Sequence, residues 1–130
     1  KLLRERKMSE IEEPYYKIYI AVLDEVPDFM VPTLVAHSIL GAHLHFEETL
    51  LMPSVRFPYL KWLIDSFRKC VVRVNRKEFE KIKALPHTYL GHENSTLGGE
   101  KSCAVCYPVL SNELPNVLKY SKLWKPQNGT

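Results

Sequence analysis

Lys17-Ile18-Tyr19-Ile20-Ala21-Val22-Leu23 is the stretch that decides the fold. It is a continuous run of apolar, β-branched and aromatic residues. Such a run is typical of a strand that is covered on both faces, as in a parallel or mixed sheet with helices on each side. The segment Asp24-Glu25-Val26-Pro27-Asp28 follows it and predicts a loop. The sequence therefore predicts a buried central strand.

A helix is expected directly after this loop. Pro32-Thr33 marks its beginning, with Thr33 as the N-cap residue. From Leu34 to about Phe46 the apolar residues recur at helical spacing on one stripe, namely Val35, Ile39, Ala42 and Phe46. This pattern predicts an amphipathic helix that buries one face.

Shorter patterns predict the remaining elements. Residues 59–67 indicate a short helix, whose apolar face is Leu60, Leu63, Ile64 and Phe67. Residues 70–74 indicate a strand, and the next helix has Asn75 and Glu78 at capping-box spacing before the core residues Phe79, Ile82 and Leu85. Strands at 87–91 and 102–107 and a helical turn within 114–120 complete the chain. This order predicts an α/β fold of three layers, with a mixed four-stranded sheet flanked by helices.

The length and composition fit one domain with its own core. The chain has 130 residues, of which 45% are hydrophobic and 25% charged. We expect a flexible N-terminal extension at 1–14, a single α/β domain at 15–125 and a tail at 126–130. No apolar run reaches the roughly 18 residues of a membrane span, and the first residues lack the apolar centre of a secretory signal.

Charge and cysteine content narrow the function classes. A net charge of +3 permits RNA binding without requiring it. Three cysteines are an odd number and favour free thiols in a reducing compartment, so we expect a cytoplasmic protein. Cys103 and Cys106 have CxxC spacing, but residues three apart on a strand point to opposite faces. We interpret them as buried thiols.

From Lys17 to Trp124 the chain resembles the type II peptidyl-tRNA hydrolases. The residues that carry the resemblance are the valine-rich strand at 70–74, the glycine-containing loop into the last strand, the ending Cys106-Tyr107-Pro108, and the C-terminal stretch Val117 to Trp124. Asp24 at the end of the first strand and the helix carrying Val35-Ala36-His37 also fit. The resemblance implies a peptidyl-tRNA hydrolase II-like fold and a protein that acts on or binds tRNA.

At the catalytic positions of that family this sequence has other residues. Its loop before the first helix supplies a lysine, whereas Pro27-Asp28-Phe29-Met30-Val31-Pro32-Thr33 contains neither lysine nor glycine. His37 stands at the position of the family's glutamine. The family's aspartate and threonine align with Leu90 and Asn94, or with Glu93 and Thr96 if a gap is allowed. The chain is closer to an uncharacterised bacterial branch of this fold than to the active hydrolases.

Three residues are the candidates for catalysis if an ester hydrolase survives: His37, His92 and Glu93. Ester hydrolysis needs a base and a donor for the oxyanion. His37 would lie early in the first helix, near the carboxyl end of a strand. His92 and Glu93 would form a base and its orienting partner, with ligand-orienting groups at Thr33, Asn94, Ser95 and Thr96. The alternatives are a histidine satisfied by a loop carbonyl and a polar loop that uses these residues for its turns.

A cluster of cations between residues 68 and 83 is the candidate nucleic-acid surface. Its members are Arg68, Lys69, Arg73, Arg76, Lys77, Lys81 and Lys83, and Lys119, Lys122 and Lys125 extend it. The alternative is a solvated helix face with the pairs Glu78–Lys81 or Glu80–Lys83. His43 and His45 are two residues apart on a helix and diverge too far to share a ligand.

Two functions from different classes remain open. The first is a peptidyl-tRNA hydrolase-like enzyme that cleaves an aminoacyl or peptidyl ester of tRNA. The second is a non-catalytic binding or regulatory module on the same fold, whose partner is RNA or a protein. For either function we expect tRNA or another RNA as the partner and no membrane, and we expect neither a cofactor nor a metal. A homodimer is compatible with both.

Overall fold

The computed structural model describes residues 13–127. Most of the expected N-terminal extension (1–12) and the end of the expected tail (128–130) lie outside the described residues. Within 13–127 the element order is strand, helix, helix, strand, helix, strand, strand, followed by two very short strands that flank a helical turn. The expected order of elements is therefore present.

The sheet is mixed and has six strands. They are β1 Tyr16–Leu23, β2 Arg68–Val74, β3 Tyr89–His92, β4 Lys101–Val105, β5 Val109–Leu110 and β6 Lys122–Leu123. The spatial order is β3-β4-β1-β2-β6, and β5 pairs with the beginning of β1. β1 and β2 are parallel, whereas β4 is antiparallel to both β1 and β3. It follows that β1, β2 and β3 all point the same way.

The expected count of four strands is corrected to six. The four expected strands are β1 to β4, and the additional ones are β5 and β6, each of two residues. β5 pairs antiparallel with β1, and β6 pairs antiparallel with β2. Two-residue strands carry no alternation of side chains, so the sequence has no pattern that distinguishes them from a loop.

The helices are α1 Val31–Glu47, α2 Arg56–Lys61, α3 Arg76–Lys83 and α4 Asn116–Lys119. A 3₁₀ turn at Asp28–Met30 precedes α1, another at Glu48–Leu51 follows it, and α2 continues into a π-helical turn at Trp62–Ser66. The expected capping box of α3 is confirmed: Asn75 Oδ1 accepts the Glu78 N–H at 2.8 Å, and Glu78 Oε1 accepts the Asn75 N–H at 2.9 Å.

Thr33 does not cap α1, so that prediction is wrong. The helix begins two residues earlier, at Val31, with Met30 at the N-cap position and no side-chain cap. The 3₁₀ turn leads the backbone directly into the helix, and Met30 N–H donates to the carbonyl of Pro27 at 3.0 Å. Pro32 is tolerated in the first turn because no N–H is needed there. Thr33 is an exposed residue of that turn.

Both faces of the central strand are covered. Every residue of β1 from Ile18 to Leu23 is buried. α1 packs against β3 and β4, while α3 packs against β1, β2 and β4. The crossover from β1 to β2 and the crossover from β2 back to β3 run in opposite directions along the sheet, and such crossovers are right-handed almost without exception. The two helices therefore lie on opposite faces.

The buried face of the α2 segment differs from the expected one. Of the expected residues, Leu60, Ile64 and Phe67 are 40%, 74% and 54% exposed, whereas Leu63 is half-buried and packs against the core as expected. The side chains of this segment that are fully buried are Tyr59 and Trp62. Tyr59 and Trp62 are three residues apart and so share one side of the helix, and the Trp62 indole N–H is satisfied by the carbonyl of Arg68 at 2.7 Å. In α1 the expected Ala42 and Phe46 are buried, together with Val31, Leu34 and Ser38, while Val35 and Ile39 are half-buried.

The stretch Asp28–Leu51 is long and apolar enough, by length and composition, to cross a membrane, and a third of its most apolar 18 residues are buried. Its buried residues are spaced along one side of α1, which packs on the sheet. A core helix of a soluble protein passes the same test, so this is weak evidence for a membrane.

Candidate functional site

The carboxyl ends of β1, β2 and β3 meet at one edge of the sheet, which we call the carboxyl edge. Asp24, Asn75 and Glu93 follow these three strands directly. Because α1 and α3 leave β1 and β2 towards opposite faces, the carboxyl ends of these two strands form the crevice in which open α/β sheets bind ligands. A cavity of about 300 Å³ lies there.

This cavity, the carboxyl-edge crevice, has a polar lining contributed by β1, β2, α3 and the C-terminal segment. The lining residues are Asp24, Arg73, Val74, Asn75, Glu78, Tyr120 and Lys122. Arg73 and Lys122 are direct partners across the antiparallel β2–β6 pair. Tyr120 is 71% exposed, and the ammonium group of Lys119 lies 5.6 Å from its ring centroid.

Arg73 is held firmly in this crevice. One guanidinium nitrogen, Nη2, lies 3.4 Å from the carboxylate of Asp28 and donates to the carbonyl of Lys125. The guanidinium also lies over the ring of Trp124, 5.0 Å from its centroid. Its Nη1 and the indole nitrogen of Trp124 are buried and lack a partner within residues 13–127. Both are donors, and of the two residues Arg73 lines the crevice, so its guanidinium can still satisfy an acceptor there.

Three other charged side chains line the crevice without an ion pair in the described part of the chain: the carboxylates of Asp24 and Glu78 and the ammonium of Lys122. Of these, Glu78 is engaged by the Asn75 N–H in the capping box. A carboxylate accepts hydrogen bonds from hydroxyl groups, and an ammonium donates to phosphate oxygens. Together with the exposed ring of Tyr120, the crevice offers an acceptor, a cation and a stacking surface.

The candidate catalytic residues are brought only partly together. His37 lies on the second turn of α1 and is exposed, and its charge is one of the causes that lower the pKa of Glu93. No hydrogen bond joins either His37 or His92 to Glu93 in the described residues. His92 is half-buried, with Nδ1 enclosed and unpartnered within 13–127.

Glu93 organises its own loop. Its Oε1 accepts the N–H groups of Thr96 and Leu97 at 2.8 Å each, and its Oε2 accepts the N–H of Ser95 at 3.0 Å. These backbone donors, Leu97 and Thr96 first, lower the pKa of Glu93. A carboxylate with three hydrogen bonds and a lowered pKa is a poor base, because its lone pairs are already engaged and its protonated form is disfavoured.

The ligand-orienting candidates Asn94, Ser95 and Thr96 are exposed on this loop. The backbone N–H groups of Ser95 and Thr96 point at Glu93, as described above. Gly98 and Gly99 complete the turn with φ values of 69° and 79°, a region that glycine adopts without strain. This arrangement agrees with the alternative interpretation, in which the loop uses its polar residues to form turns.

The cationic cluster is distributed over several surfaces. Alternation along β2 sends Arg68 to one face of the sheet and Lys69 and Arg73 to the other. Arg68 packs over the ring of Tyr15 at 3.9 Å, and Lys69 lies at the amino ends of the strands. Of this cluster, Arg73 is the member that lies in the carboxyl-edge crevice.

The α3 members of the cluster have different environments. Arg76 is bound by Glu25 at 2.8 Å and Glu100 at 2.6 Å, and these carboxylates raise the pKa of its guanidinium. Lys83 pairs with Glu80 at 3.2 Å, as the solvated-face interpretation expected. Lys77 and Lys81 are exposed and form no ion pair within residues 13–127.

The cysteines are free, and the interpretation of Cys103 and Cys106 as buried thiols is confirmed. Burial raises the pKa of each of these two thiols to about 12, so they are neutral at physiological pH. Among residues 13–127 no three histidine, cysteine, aspartate or glutamate side chains are grouped closely enough to hold a metal ion.

A series of hydrogen bonds that the sequence did not predict joins the side chains of Tyr59, His43 and Glu47. His43 Nε2 lies 2.9 Å from the Glu47 carboxylate, and its Nδ1 is hydrogen-bonded to the hydroxyl of Tyr59. With the proton on Nε2, the ring donates to Glu47 and accepts from Tyr59. Burial, with a smaller effect of Glu47, raises the pKa of Tyr59 to about 12. The i,i+4 spacing of His43 and Glu47 on α1 was the available signal. His45 points elsewhere, against the ring of Tyr89.

No protein-family model matches the chain. No curated protein matches its sequence at a significant level.

Proposed function

We propose that this protein is a non-catalytic RNA-binding module with a peptidyl-tRNA hydrolase II-like fold, which binds a tRNA or a tRNA-like RNA through the carboxyl-edge crevice. The proposal includes a cytoplasmic location. The likeness to that family is supported by the element order from β1 to β4 and by the glycine-containing loop that leads into β4. The observation that carries the binding function is the grouping of Arg73, Tyr120 and Lys122 around one crevice.

These groups match the chemistry of one unpaired ribonucleotide. A base stacks on an exposed aromatic ring such as Tyr120, an interaction worth about 1–3 kcal/mol per base. The cationic side chains of Lys122 and Lys119 lie beside that ring and suit the phosphate. Asp24 accepts a hydrogen bond from a ribose hydroxyl, and a contact to the 2′-hydroxyl distinguishes RNA from DNA.

Ester hydrolysis is not part of the proposal. Glu93, the expected orienting partner of His92, is engaged instead by three backbone N–H groups, and no hydrogen bond joins it to His92 in the described residues. The type II peptidyl-tRNA hydrolases use a lysine from the loop before the first helix, and the corresponding loop here, residues 27–33, contains no lysine. His37 makes no hydrogen bond among the described residues that would fix the orientation of its ring, so it is not positioned as a general base.

The experiment combines binding and turnover in the same samples. Purified protein is titrated with labelled tRNA and with labelled peptidyl-tRNA at several salt concentrations, and ester cleavage is followed by release of the peptide. We expect binding that weakens steeply with salt and no turnover above that of a His37→Ala variant. Turnover that is lost in His37→Ala would show an esterase and contradict the proposal, as would absence of RNA binding at low salt.

A pair of matched double variants locates the binding surface. Lys119→Met/Lys122→Met removes the cation beside the Tyr120 ring and the lysine of the crevice lining, and Lys77→Met/Lys81→Met removes two exposed cations on α3. We expect the first variant to lower the affinity for tRNA and the second to leave it nearly unchanged. The opposite result would assign binding to α3 and overturn the assignment to the crevice.

A further inference from the structure

A second cavity, the amino-edge groove, lies at the opposite edge of the sheet. It has a volume of about 230 Å³ and is enclosed by α1, the α2 segment and the amino ends of β1 and β2. Its floor includes Ile18 and Phe46, and its walls include Tyr59, Trp62 and Phe67. Since the carboxyl-edge crevice lies beyond the other ends of the same strands, the two cavities are separate.

A stack of aromatic rings forms one wall of the groove. Tyr59 and Trp62 stack with ring centroids 5.7 Å apart and an interplanar angle of 24°. Trp62 and Phe67 continue the stack at 5.0 Å and 28°. The Trp62 indole nitrogen donates to the carbonyl of Arg68, which fixes the orientation of its ring. Aromatic walls with few polar groups are typical of small-molecule sites.

The backbone that builds this wall is in an unfavourable conformation. The π turn Trp62–Ser66 ends at Phe67, whose φ of 54° lies in the left-handed region. A left-handed conformation costs a residue with a side chain about 1–2 kcal/mol. Phe67 is nevertheless 54% exposed, so its ring gains less from burial than a core residue. Isolated π turns and left-handed residues are frequent at functional sites.

A cation stands at the mouth of the groove. The ammonium of Lys69 lies 3.5 Å from the centroid of Phe67 and 5.4 Å from that of Trp62, and it donates to the carbonyl of Phe67 at 2.8 Å. No carboxylate within residues 13–127 pairs with it. By contrast, the polar groups of His43 and Tyr59, which also line the groove, are already satisfied by each other and by Glu47.

We propose that the amino-edge groove binds a small amphipathic anion, an aromatic or medium-chain carboxylate. Its apolar part lies against Trp62 and Phe46, and its carboxylate lies on the ammonium of Lys69. A cavity of about 150 Å³ accommodates benzene, so this groove has room for a larger ring or a short acyl chain. The proposal does not depend on RNA binding, because the two sites share no residue.

The fluorescence of Trp62 provides a direct test. The chain has two tryptophans, so Trp124→Phe leaves Trp62 as the single reporter. In this background the protein is titrated with octanoate, 1-octanol and octylamine, which differ only in their polar ends. We expect a saturable change with octanoate, a weaker one with 1-octanol and the weakest with octylamine.

Lys69→Met separates the charge from the apolar contact, because methionine keeps most of the aliphatic stem. We expect octanoate affinity to fall about tenfold, as for the loss of one charge-assisted contact, with 1-octanol affinity unchanged. Lys77→Met, on exposed α3, is the matched control and leaves both affinities unchanged. A second variant, Ile39→Phe, fills the groove from α1 and lowers the affinities for octanoate and 1-octanol alike.

Three kinds of result would overturn this assignment. The first is no change in Trp62 fluorescence with octanoate in a protein shown to be folded by circular dichroism. The second is a preference for octylamine, or equal binding of octanoate before and after Lys69→Met. The third is a dimer that buries Trp62 at all concentrations and is unaffected by octanoate, because the groove would then be an interface between two copies of the chain.

Discussion

Arg73 of β2 and Lys122 of β6 stand directly opposite each other in an antiparallel pair, so that two cations leave the same face of the sheet. Like charges at opposite positions of a strand pair are destabilising. Asp28 compensates Arg73 at 3.4 Å, and its other oxygen accepts the Gln127 N–H at 2.6 Å. Lys122 has no such partner in the described residues. The pair thus lowers stability while it leaves a cation available to an anionic ligand.

Lys122→Glu is expected to separate stability from binding. An opposite charge facing Arg73 should raise the free energy of unfolding by about 0.5 kcal/mol, and the same change should weaken tRNA binding because it removes a phosphate contact. Urea unfolding and a binding titration measure the two effects. Lys77→Glu on α3 serves as the control for the change of net charge. A Lys122→Glu protein that binds tRNA as tightly as this control would contradict the assignment.

Glu93→Gln is expected to loosen the 93–99 loop and to remove its sensitivity to acid. The pKa of Glu93 is lowered from 4.5. The ionised carboxylate therefore contributes stability that is fully present above about pH 4.5 and is lost as the pH falls through the lower, folded-state value. The amide resonances of Thr96 and Leu97, followed by NMR from pH 7 downwards, should show this transition in the wild type and lack it in Glu93→Gln.

The matched control for this loop is Glu100→Gln. Glu100 pairs with Arg76 and makes no side-chain hydrogen bond to the Glu93 loop. Its substitution should leave the acid transition of the Thr96 and Leu97 amides unchanged. If both variants abolish the transition, the acid sensitivity belongs to the ion cluster around Arg76 and not to Glu93.

Gly91→Ala is expected to cost about 1–3 kcal/mol, the range for overpacking a core. A Cβ at Gly91 would meet Ser38 Oγ at 2.0 Å, Cβ at 2.6 Å and the backbone Cα at 3.0 Å, so α1 itself would have to move away from β3. Gly41→Ala is the comparison. There a Cβ meets the end of the Tyr89 side chain at 2.2 Å, which can rotate, and alanine favours the helix. Urea unfolding should show a larger loss for Gly91→Ala, and equal losses would contradict this account of the α1–β3 contact.

The sequence predicted the order of the elements because each long element has its own pattern. The continuous apolar run of β1 and the Asn75–Glu78 capping box are local signals, and both were confirmed. The buried face of the α2 segment was predicted wrongly at Leu60, Ile64 and Phe67, and correctly at Leu63, because Leu60 and Ile64 fit helical spacing as well as Tyr59 and Trp62 do. The contact that fixes Trp62, the hydrogen bond from its indole to the Arg68 carbonyl, is a tertiary one that helical spacing does not indicate.

The candidate sites were less predictable for a different reason. Cations that are neighbours in sequence between Arg68 and Lys83 are separated by strand alternation and by local ion pairs. The crevice instead joins Asp24 after β1, Arg73 in β2 and Tyr120 near the C-terminus, which are far apart in sequence. The two-residue strand β6, which carries Lys122 to Arg73, has no recognisable pattern of its own. Contacts of this kind follow from the topology of the sheet.

Because the backbone at Phe67 is left-handed, we expect glycine to be a more stable replacement than alanine there, the reverse of the usual order of stability in a helix. Phe67→Ala and Phe67→Gly both remove the stack on Trp62, but glycine adopts a φ of 54° without strain. We expect Phe67→Gly to be more stable than Phe67→Ala by about 1 kcal/mol. Urea unfolding of the two proteins measures this difference. Both variants should bind octanoate more weakly than the wild type, because both open the amino-edge groove.

Phe57 provides the matched pair for this comparison. It is 60% exposed and lies within α2, where the backbone is helical. Here the ordinary order applies, and Phe57→Ala should be more stable than Phe57→Gly by about 1 kcal/mol. If alanine is the more stable replacement at both positions, Phe67 does not carry backbone strain in solution. Backbone strain at Phe67 would then not mark the groove as a binding site, and the cation of Lys69 alone would have to support the binding of an anion.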